Sequence, residues 1–487
     1  MGLTLSLNAA RSSLIANASQ MAIVSRNTTS LDDPSYSRKI ASLVTGNGQL
    51  RVVVSRASDA ALYERMIGST SELAGRQALL KGLTRLADTV GDTAGTDSVA
   101  AKVGILTKAL GTYAERPDDA NLAKAAIAAA KDLAAGLNEA SRLVQSTRLE
   151  ADQEVAASVG TINDLLGQFD AANRAVVAGT AAGGDISDAL DQRDKIVAEL
   201  SQQIGVSAVT RAGNDVALYA DNGVTLFDRS ARSVVFEPTN AFTAGTVGGV
   251  VKIDGVAVTG ENSPMPLATG RIVGLMQVRD EAAVTYQEQF DTIAQGLIEA
   301  FAETDNGTPG TGPALAGLFT HSGGPALPTT ADLPGLASRI GVNAAADPSV
   351  GGDPFRLRDG GMNAGAGYAY NADGAASFAD RLQALQAALA TPRSYPADSG
   401  LPVSGTLQAA ASASASWLEA TRKAASSQVD SEAAFLQSAS TALSNATGVN
   451  RDDETATMLQ LEKSYAASAK LLATVNAMLQ TLLDSVR

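Results

Sequence analysis

The sequence predicts a mainly α, elongated, multidomain chain with coiled-coil helices at both ends, a long-helix bundle and a small β-rich insertion. Three observations lead there. Apolar residues recur at heptad spacing at both ends of the 487 residues. Long amphipathic runs separated by short Gly- or Pro-containing breaks fill most of the interval. Only between about 206 and 270 does the period change to two, around turn-forming pairs.

At the N-terminal end Leu3, Leu7, Ala10, Leu14, Asn17, Met21 and Val24 step alternately by four and three, a seam with one polar member, Asn17. At the other end Met458, Leu461, Tyr465, Ser468, Leu472, Val475, Leu479, Leu482 and Val486 do the same, with Ser468 polar. Neither helix has a partner adjacent in sequence, and an isolated helix of such length is marginal in water. The two ends therefore pair with each other, with further copies of the chain, or both; the alternative is two ordinary helices on one globular core. Between the first seam and the next helix lies "SRNTTSLDDPSYSRKI", a polar, turn-forming bend.

Further along, Leu62, Met66, Ser69, Leu73, Arg76, Leu80, Leu83, Ala87 and Val90 keep heptad spacing until "GDTAGTD". Val99 to Tyr113 form a shorter helix that stops before Pro117. From about Asp119 a long run begins, a single rod if it is continuous, with Gly136 and Gly160 as the candidate breaks, and "ISDALDQRDKIVAELSQQIG" is another short helix. Asn222-Gly223 and Asp254-Gly255 each sit between apolar runs and predict hairpin turns. Helix resumes near Ile272 to Glu303. Residues 306–375 are Gly/Pro-rich and irregular, expected as a surface excursion, and helix returns before the final seam. The expected units are 1–60 with 445–487 as a terminal helical unit; 61–205 with 271–305 and 376–444 as a helical rod; 206–270 as the β-rich insertion; and 306–375 as a variable outer region.

Composition narrows the chemistry. Apolar residues make up 45% and aromatics only 4%, so the cores are built from small side chains suited to close helix contact. A net charge of −14 with no basic run is the reverse of a nucleic-acid footprint. The absence of cysteine removes disulfides, thiolate catalysis and Cys-based zinc sites. The single histidine, His321, reads as a solvated loop residue, and the Asp32/Asp33 and Asp452/Asp453 pairs read as helix-end residues. No catalytic, cofactor-binding or metal-ligating constellation emerges, and the expectation is a protein without enzymatic activity or cofactor.

Two stretches carry a resemblance. Ser25, Asn27, Pro34, Tyr36, Ser37 and Arg38 match the pattern S-x-N-I-A-N-x-x-T-P-G-Y-S-R, with Ser30, Asp33 and Ser35 departing from it. "VNRDDETATMLQLEKSYAASAKLLATVNAMLQTLL" is similar to the ending V-N-x-D-E-E…Q-x-x-Y-x-A-S-A-K…M-x-x-T-L-L. Val449, Asn450, Asp452, Glu454, Tyr465, Ala467, Ser468, Ala469, Lys470, Met478, Leu482 and Leu483 carry it. "LDQRDKIVAELSQQIGV" and "GRIVGLMQVRDE" add internal likeness. Together they resemble the bacterial flagellar axial proteins, in particular the hook-associated proteins of the hook–filament junction. Flagellin, hook or rod protein, hook-associated protein 3 and a secreted adhesin with a helical stalk are the competing readings.

The resemblance implies an extracellular structural subunit of the flagellum, exported by the flagellar type III route without a cleavable signal peptide. It implies a ring of copies as the first partner, then hook protein, hook-associated protein 3 and an export chaperone at the C-terminal helix, with no nucleic acid and no membrane insertion. It also implies a self-assembly seam of Leu3, Leu7, Leu14, Met21, Val24, Leu461, Tyr465, Leu472, Val475, Leu479 and Leu482. The motif residues it singles out are Asn27, Pro34, Tyr36, Ser37, Arg38, Asn450, Asp452 and Glu454. The family pattern has Gly where Ser35 stands, which raises the question of whether the turn needs a positive φ there.

Overall fold

The computed structural model describes residues 2–46, 49–90, 97–307, 310–363 and 366–485. It is mainly helical. Helix α1 (Gly2–Thr29) leads into an antiparallel hairpin, β1 (Lys39–Gly46) and β2 (Gln49–Arg56). Helices α2 (Ala60–Val90), α3 (Val99–Glu115), α4 (Ala120–Ala182) and α5 (Ser187–Gln203) follow. Six short strands come next: β3 (Val206–Thr210), β4 (Val216–Ala220), β5 (Thr225–Asp228), β6 (Ser230–Ala231), β7 (Val234–Val235) and β8 (Lys252–Ile253). With β9 (Val256–Ala257) they form a four-stranded antiparallel sheet in the order β3-β4-β5-β6 and a three-stranded one, β7-β8-β9.

The chain returns to helix as α6 (Arg271–Gln277), a π-helical turn (Val278–Ala282) and α7 (Ala283–Ala300). After an irregular stretch holding the one-turn α8 (Arg356–Asp359) come α9 (Asp380–Ala390), α10 (Leu407–Thr447) and α11 (Arg451–Ser485).

Two apolar cores hold the body. The first gathers Leu83 and Leu86 of α2, the buried faces of α3, α7 and α9, the first half of α4 and the start of α10. The second packs the far half of α4, from Val155 to Phe169, against α5, α6 and both sheets. Helix α4 thus runs through both. Its 63 residues make a rod of about 95 Å at 1.5 Å per residue. Asp119 caps its start, accepting from the amides of Asn121 and Leu122, and Gly183 closes it at φ 67°.

Of the two readings open at Gly136 and Gly160, the continuous one holds: α4 is unbroken across both. Buried neighbours on either side, Leu133, Leu137, Val159 and Ile162, outweigh the roughly 1 kcal/mol that a glycine costs a helix.

Both predicted turns are present, with Gly223 at φ 86° between β4 and β5, and Asp254 and Gly255 at 50° and 83° between β8 and β9. Residues 306–375 are irregular as expected but are no mere surface excursion. They send Leu318, Phe319, Leu336, Ile340, Leu357 and Met362 into the first core. His321 is likewise buried rather than solvated: Nδ1 accepts the Gly323 amide at 3.1 Å and Nε2 bonds the Ala326 carbonyl at 3.2 Å. The α2 heptad stripe is only half-buried at Leu62, Met66, Leu73 and Leu80, because α2 is gripped from two sides. It meets α10 on one side, antiparallel, with Glu72 near Glu432 and Asp88 near Arg422. On the other it meets α6 backbone to backbone: a methyl on Gly75 would stand 2.9 Å from the Gly270 carbonyl oxygen.

A buried polar cluster ties the β-rich region to the rod. The π-helical turn aims Arg279 at Asp152 of α4, and both side chains are almost fully excluded from water. Arg279 also donates to Asp280 and the Gly249 carbonyl, while Asp152 accepts the Thr239 amide at 2.7 Å. Arg148 completes the cluster by donating to the carbonyls of Arg279, Thr243 and Thr246.

Candidate assembly site at the joined termini

Helices α1 and α11 pack against each other over much of their length. The Asn17 amide donates to the Ser464 hydroxyl at 3.1 Å, and Ser13 and Ser468 share a hydroxyl–hydroxyl bond at 3.1 Å. Four residues forward on one helix correspond to four back on the other, so the pair is antiparallel. The two polar seam members of the sequence, Asn17 and Ser468, thus each bond across the helix interface.

The apolar seam closes in part. Val24 and Val475 are buried; Leu7, Leu14, Met21, Leu461, Leu472 and Leu479 are half-buried. Tyr465 and Leu482 stay 44% and 51% exposed. The side chain of Leu3 and residue Val486 lie outside the described residues. On either flank of the α11 seam stand further exposed apolar groups: Leu471 and Met478 on one side, Leu483 on the other, and Ile15 on α1.

The bend after α1 is two successive turns, closed by Asp33 N–H to Ser30 C=O and Tyr36 N–H to Asp33 C=O, both at 3.1 Å. Ser35 donates to the Asp33 carboxylate from its amide (2.9 Å) and its hydroxyl (2.7 Å), which holds that carboxyl below its usual range. Ser35 is not among the residues at positive φ, so the turn has no need of glycine there. The departures at 33 and 35 support each other.

From this bend the motif residues converge. Asn27 is buried; its Nδ2 donates to the Lys39 carbonyl at 2.9 Å, and its Oδ1 accepts from the Lys39 amide at 3.0 Å and the Tyr36 hydroxyl at 2.8 Å. Arg38 and Ala57 form a bonded pair of the hairpin through Ala57 N–H to Arg38 C=O, so the next pair, Lys39 and Arg56, is of the non-bonded kind. The Asn27 amide stands in for a neighbouring strand at that one residue. Burial pushes the Tyr36 hydroxyl pKa up to about 12.

Arg38 joins the ends. Its amide donates to the Thr447 carbonyl at 2.8 Å, and its Nε donates to Glu454 at 2.6 Å, where the carboxylate is 1% exposed. Asn450 caps α11, its Oδ1 accepting from the Asp452 amide at 2.9 Å. Pro34 is exposed and Ser37 half-buried, and both lie outside the hydrogen-bonded cluster; the exposed Asp452 joins it only through its backbone amide.

Sequence reasoning missed the other half of the site. It assigned 1–60 to helix and bend, whereas β1 and β2 occupy 39–46 and 49–56. The signal was present: two β-branched runs around Gly46-Asn47-Gly48. The hairpin delivers Lys39 and Arg56 to α5. Lys39 pairs with Asp191 and donates to the Ser187 carbonyl; Arg56 reaches Asp191 at 3.0 Å and Asp194 at 2.5 Å; Arg26 of α1 pairs with Asp188. Burial drives the Lys39 pKa down against the pull of Asp191, and drives Asp194 up against that of Arg56. Among the described residues no group of His, Asp or Glu is placed to hold a metal ion, and no helix is long and apolar enough to cross a membrane.

With this geometry in view, comparison with known proteins is specific. Residues 83–311 match the model of the flagellar hook-associated protein FlgK helical domain, and 441–485 that of the flagellar basal body rod FlgEFG protein C-terminal region, together more than half of the chain. Over 83–311, just under half of its length, the chain is similar to the flagellar hook-associated proteins. Flagellar hook-associated protein 1 of Escherichia coli K12 is 24% identical over 309 residues, covering 61% of this chain and 56% of the relative. The Salmonella typhimurium protein of the same name gives 24% over 309 residues, covering 55% of its length. The chain thus aligns with about half the length of the curated relatives it matches. The flagellar hook junction protein FlgK from Burkholderia pseudomallei is similar at 19% identity and TM-score 0.43, over 53% of this chain and 47% of that one.

Proposed function

We propose that this protein is a hook-associated, structural, non-enzymatic subunit of the bacterial flagellum that joins hook to filament. The observation that carries the reading is the antiparallel α1–α11 pair with apolar groups left on both flanks. One flank bears Leu471 and Met478, the other Tyr465 and Leu483. Each flank needs its own cover, at roughly 25 cal/mol per Å² of apolar surface removed from water. Two unlike patches on one unit favour head-to-tail contacts between copies, which close into rings or continue as helices.

Hook protein on one side and hook-associated protein 3 on the other are the proposed neighbours. A chaperone that shields α11 before type III export, without removal of a signal peptide, completes the proposed path. The expected seam residues, from Leu7 to Val24 and from Leu461 to Leu479, then act first within the chain. Their exposed neighbours act between copies. A rod or hook protein would account for the match over 441–485 alone; the match over 83–311 favours the junction.

The test is removal of residues 450–487 in the producing cell. The expected result is hooks that carry no filament, while the truncated protein keeps the cooperative unfolding of its body. Normal filament attachment by the truncated protein would sink the reading.

A further inference from the structure

Three Asn-Gly pairs occur in the chain, at 47–48, 222–223 and 306–307, and the first lies outside the described residues. In such a pair the side-chain amide can be lost to its own backbone. The glycine nitrogen attacks Asn Cγ, and a residue without a Cβ leaves that approach open. The attack also needs an Asn carboxamide free to swing over the next peptide nitrogen. The fold treats the two described pairs in opposite ways.

Asn222 is held at both ends. Its Oδ1 accepts the Val224 amide at 3.0 Å, and its Nδ2 donates to the Met265 carbonyl at 2.6 Å. The Gly223 amide in turn donates to the Ala220 carbonyl at 2.8 Å, closing the β4–β5 turn. Two side-chain bonds and one main-chain bond have to break before carbon and nitrogen meet. Asn306, just past the end of α7, has no such hold. Its side chain is exposed and, among the described residues, makes no hydrogen bond. Only the main chain is fastened there. The Asn306 amide donates to the Gly367 carbonyl at 2.6 Å, and the Gly307 amide donates to Asp305 Oδ1 at 2.9 Å. The other oxygen of Asp305 accepts the Gly312 amide at 2.7 Å.

We propose that Asn306-Gly307 is a self-modification site, at which water converts Asn306 to aspartate and isoaspartate in the folded protein while Asn222 is spared. Hydroxide takes the Gly307 N–H proton, the nitrogen bonds to Asn306 Cγ, and the side-chain nitrogen leaves as ammonia. One water then opens the resulting five-membered imide at either of its carbonyls. The balance is one water consumed and one ammonia released, with nothing oxidised or reduced. Opening at the backbone carbonyl routes the main chain through the former side chain, one methylene longer. That methylene falls between the two amides bonded to Gly367 and Asp305, and the new carboxylate stands beside that of Asp305. The fastening of 305–312 to Gly367 is therefore what the reaction weakens.

The test ages full-length protein at mildly alkaline pH, once folded and once in concentrated urea. Tryptic peptides 280–339 and 212–229 report the two sites, and 280–339 contains no asparagine besides Asn306. In folded protein Asn306 converts at least tenfold faster than Asn222, whereas in urea the two rates agree within about twofold. Gly307→Ala slows conversion of Asn306 and leaves Asn222 as it was. A folded-state ratio below tenfold overturns the proposal. A ratio that persists in urea also overturns it, because local sequence and not the fold would then set the rates. An unchanged Asn306 rate in Gly307→Ala does the same, since the imide route would not be in use.

Discussion

Replacing Asp152 by Ala leaves the Arg279 guanidinium, 1% exposed, without its buried counter-charge. Losing one partner of a buried ion pair costs about 3–5 kcal/mol, because the remaining charge is desolvated and uncompensated. Two features place this site near the lower end. Asp280, one-third exposed, still accepts two hydrogen bonds from Arg279 at 2.8 Å, and the Gly249 carbonyl accepts another at 2.8 Å. Against this, the Thr239 amide loses its acceptor. The net expectation is about 3 kcal/mol, which is roughly a 100-fold faster hydrogen exchange in the segments the cluster anchors, 237–249 and the π-helical turn. Mass-resolved exchange on those peptides reads this locally, without assuming that so long a chain unfolds in one step. Pairing Asp152→Leu with Arg279→Met removes both charges and is expected to recover most of the loss, to within about 1 kcal/mol of the parent. Acceleration below tenfold in Asp152→Ala, or a double variant as damaged as the single one, would refute the reasoning.

Three further outcomes are expected. Asn27→Ala strands the Lys39 amide and carbonyl, at about 1–3 kcal/mol for each buried group, whereas Tyr36→Phe removes only a half-buried hydroxyl and costs about 1 kcal/mol; equal acceleration of Lys39 amide exchange in the two variants would contradict this. Gly274→Ala drives a methyl into the Gly75 carbonyl oxygen where α2 crosses α6, and an overpacking loss of about 1–3 kcal/mol should lower the urea midpoint of the second core, against a gain of up to about 1 kcal/mol at the open Gly160→Ala inside α4. Burial raises the Asp291 carboxyl from 3.8 to about 6, although the Ala337 and Gly335 amides donate to it. The folded state thus holds this proton longer than the unfolded one, so stability falls as pH rises from about 4 to about 6, by at most ~3 kcal/mol. Asp291→Asn should flatten that part of the pH profile, and an unchanged slope would count against it.

The pattern of what could be read in advance has a physical basis. Seam positions on α1 and α11, the Asn222-Gly223 and Asp254-Gly255 turns and the ends of most helices depend on near neighbours in sequence, so a single chain displays them. The ion pairs of the hairpin with α5 do not. Asp191 and Asp194 look like ordinary charges on an exposed helix face, and their partners lie 152, 135 and 138 residues away. Glu454 reads as a favourable first-turn carboxylate, yet Arg38, 416 residues distant, gives it its burial. Nor could the sequence tell that Tyr465 would face outward: the seam period places it with Leu461 and Leu472, but one helix covers only part of so wide a stripe. Gly136 and Gly160 left the continuity of α4 open, since local propensity is weak where tertiary burial is dense.

The Asn17–Ser464 bond closes a span of 447 residues. In a chain made or threaded from its N-terminus, α1 therefore waits for nearly the whole polypeptide before its partner exists. Closing so long a loop from a disordered state costs on the order of 5 kcal/mol in chain entropy, more than a pair of serine and asparagine bonds returns. Once α2, α5 and α10 have assembled, Arg38 and Thr447 lie side by side and only short connectors separate the two terminal helices from that point. The body acts as a template that brings the ends within reach, so the surface offered to neighbouring copies comes into being last, after the rest of the subunit has folded.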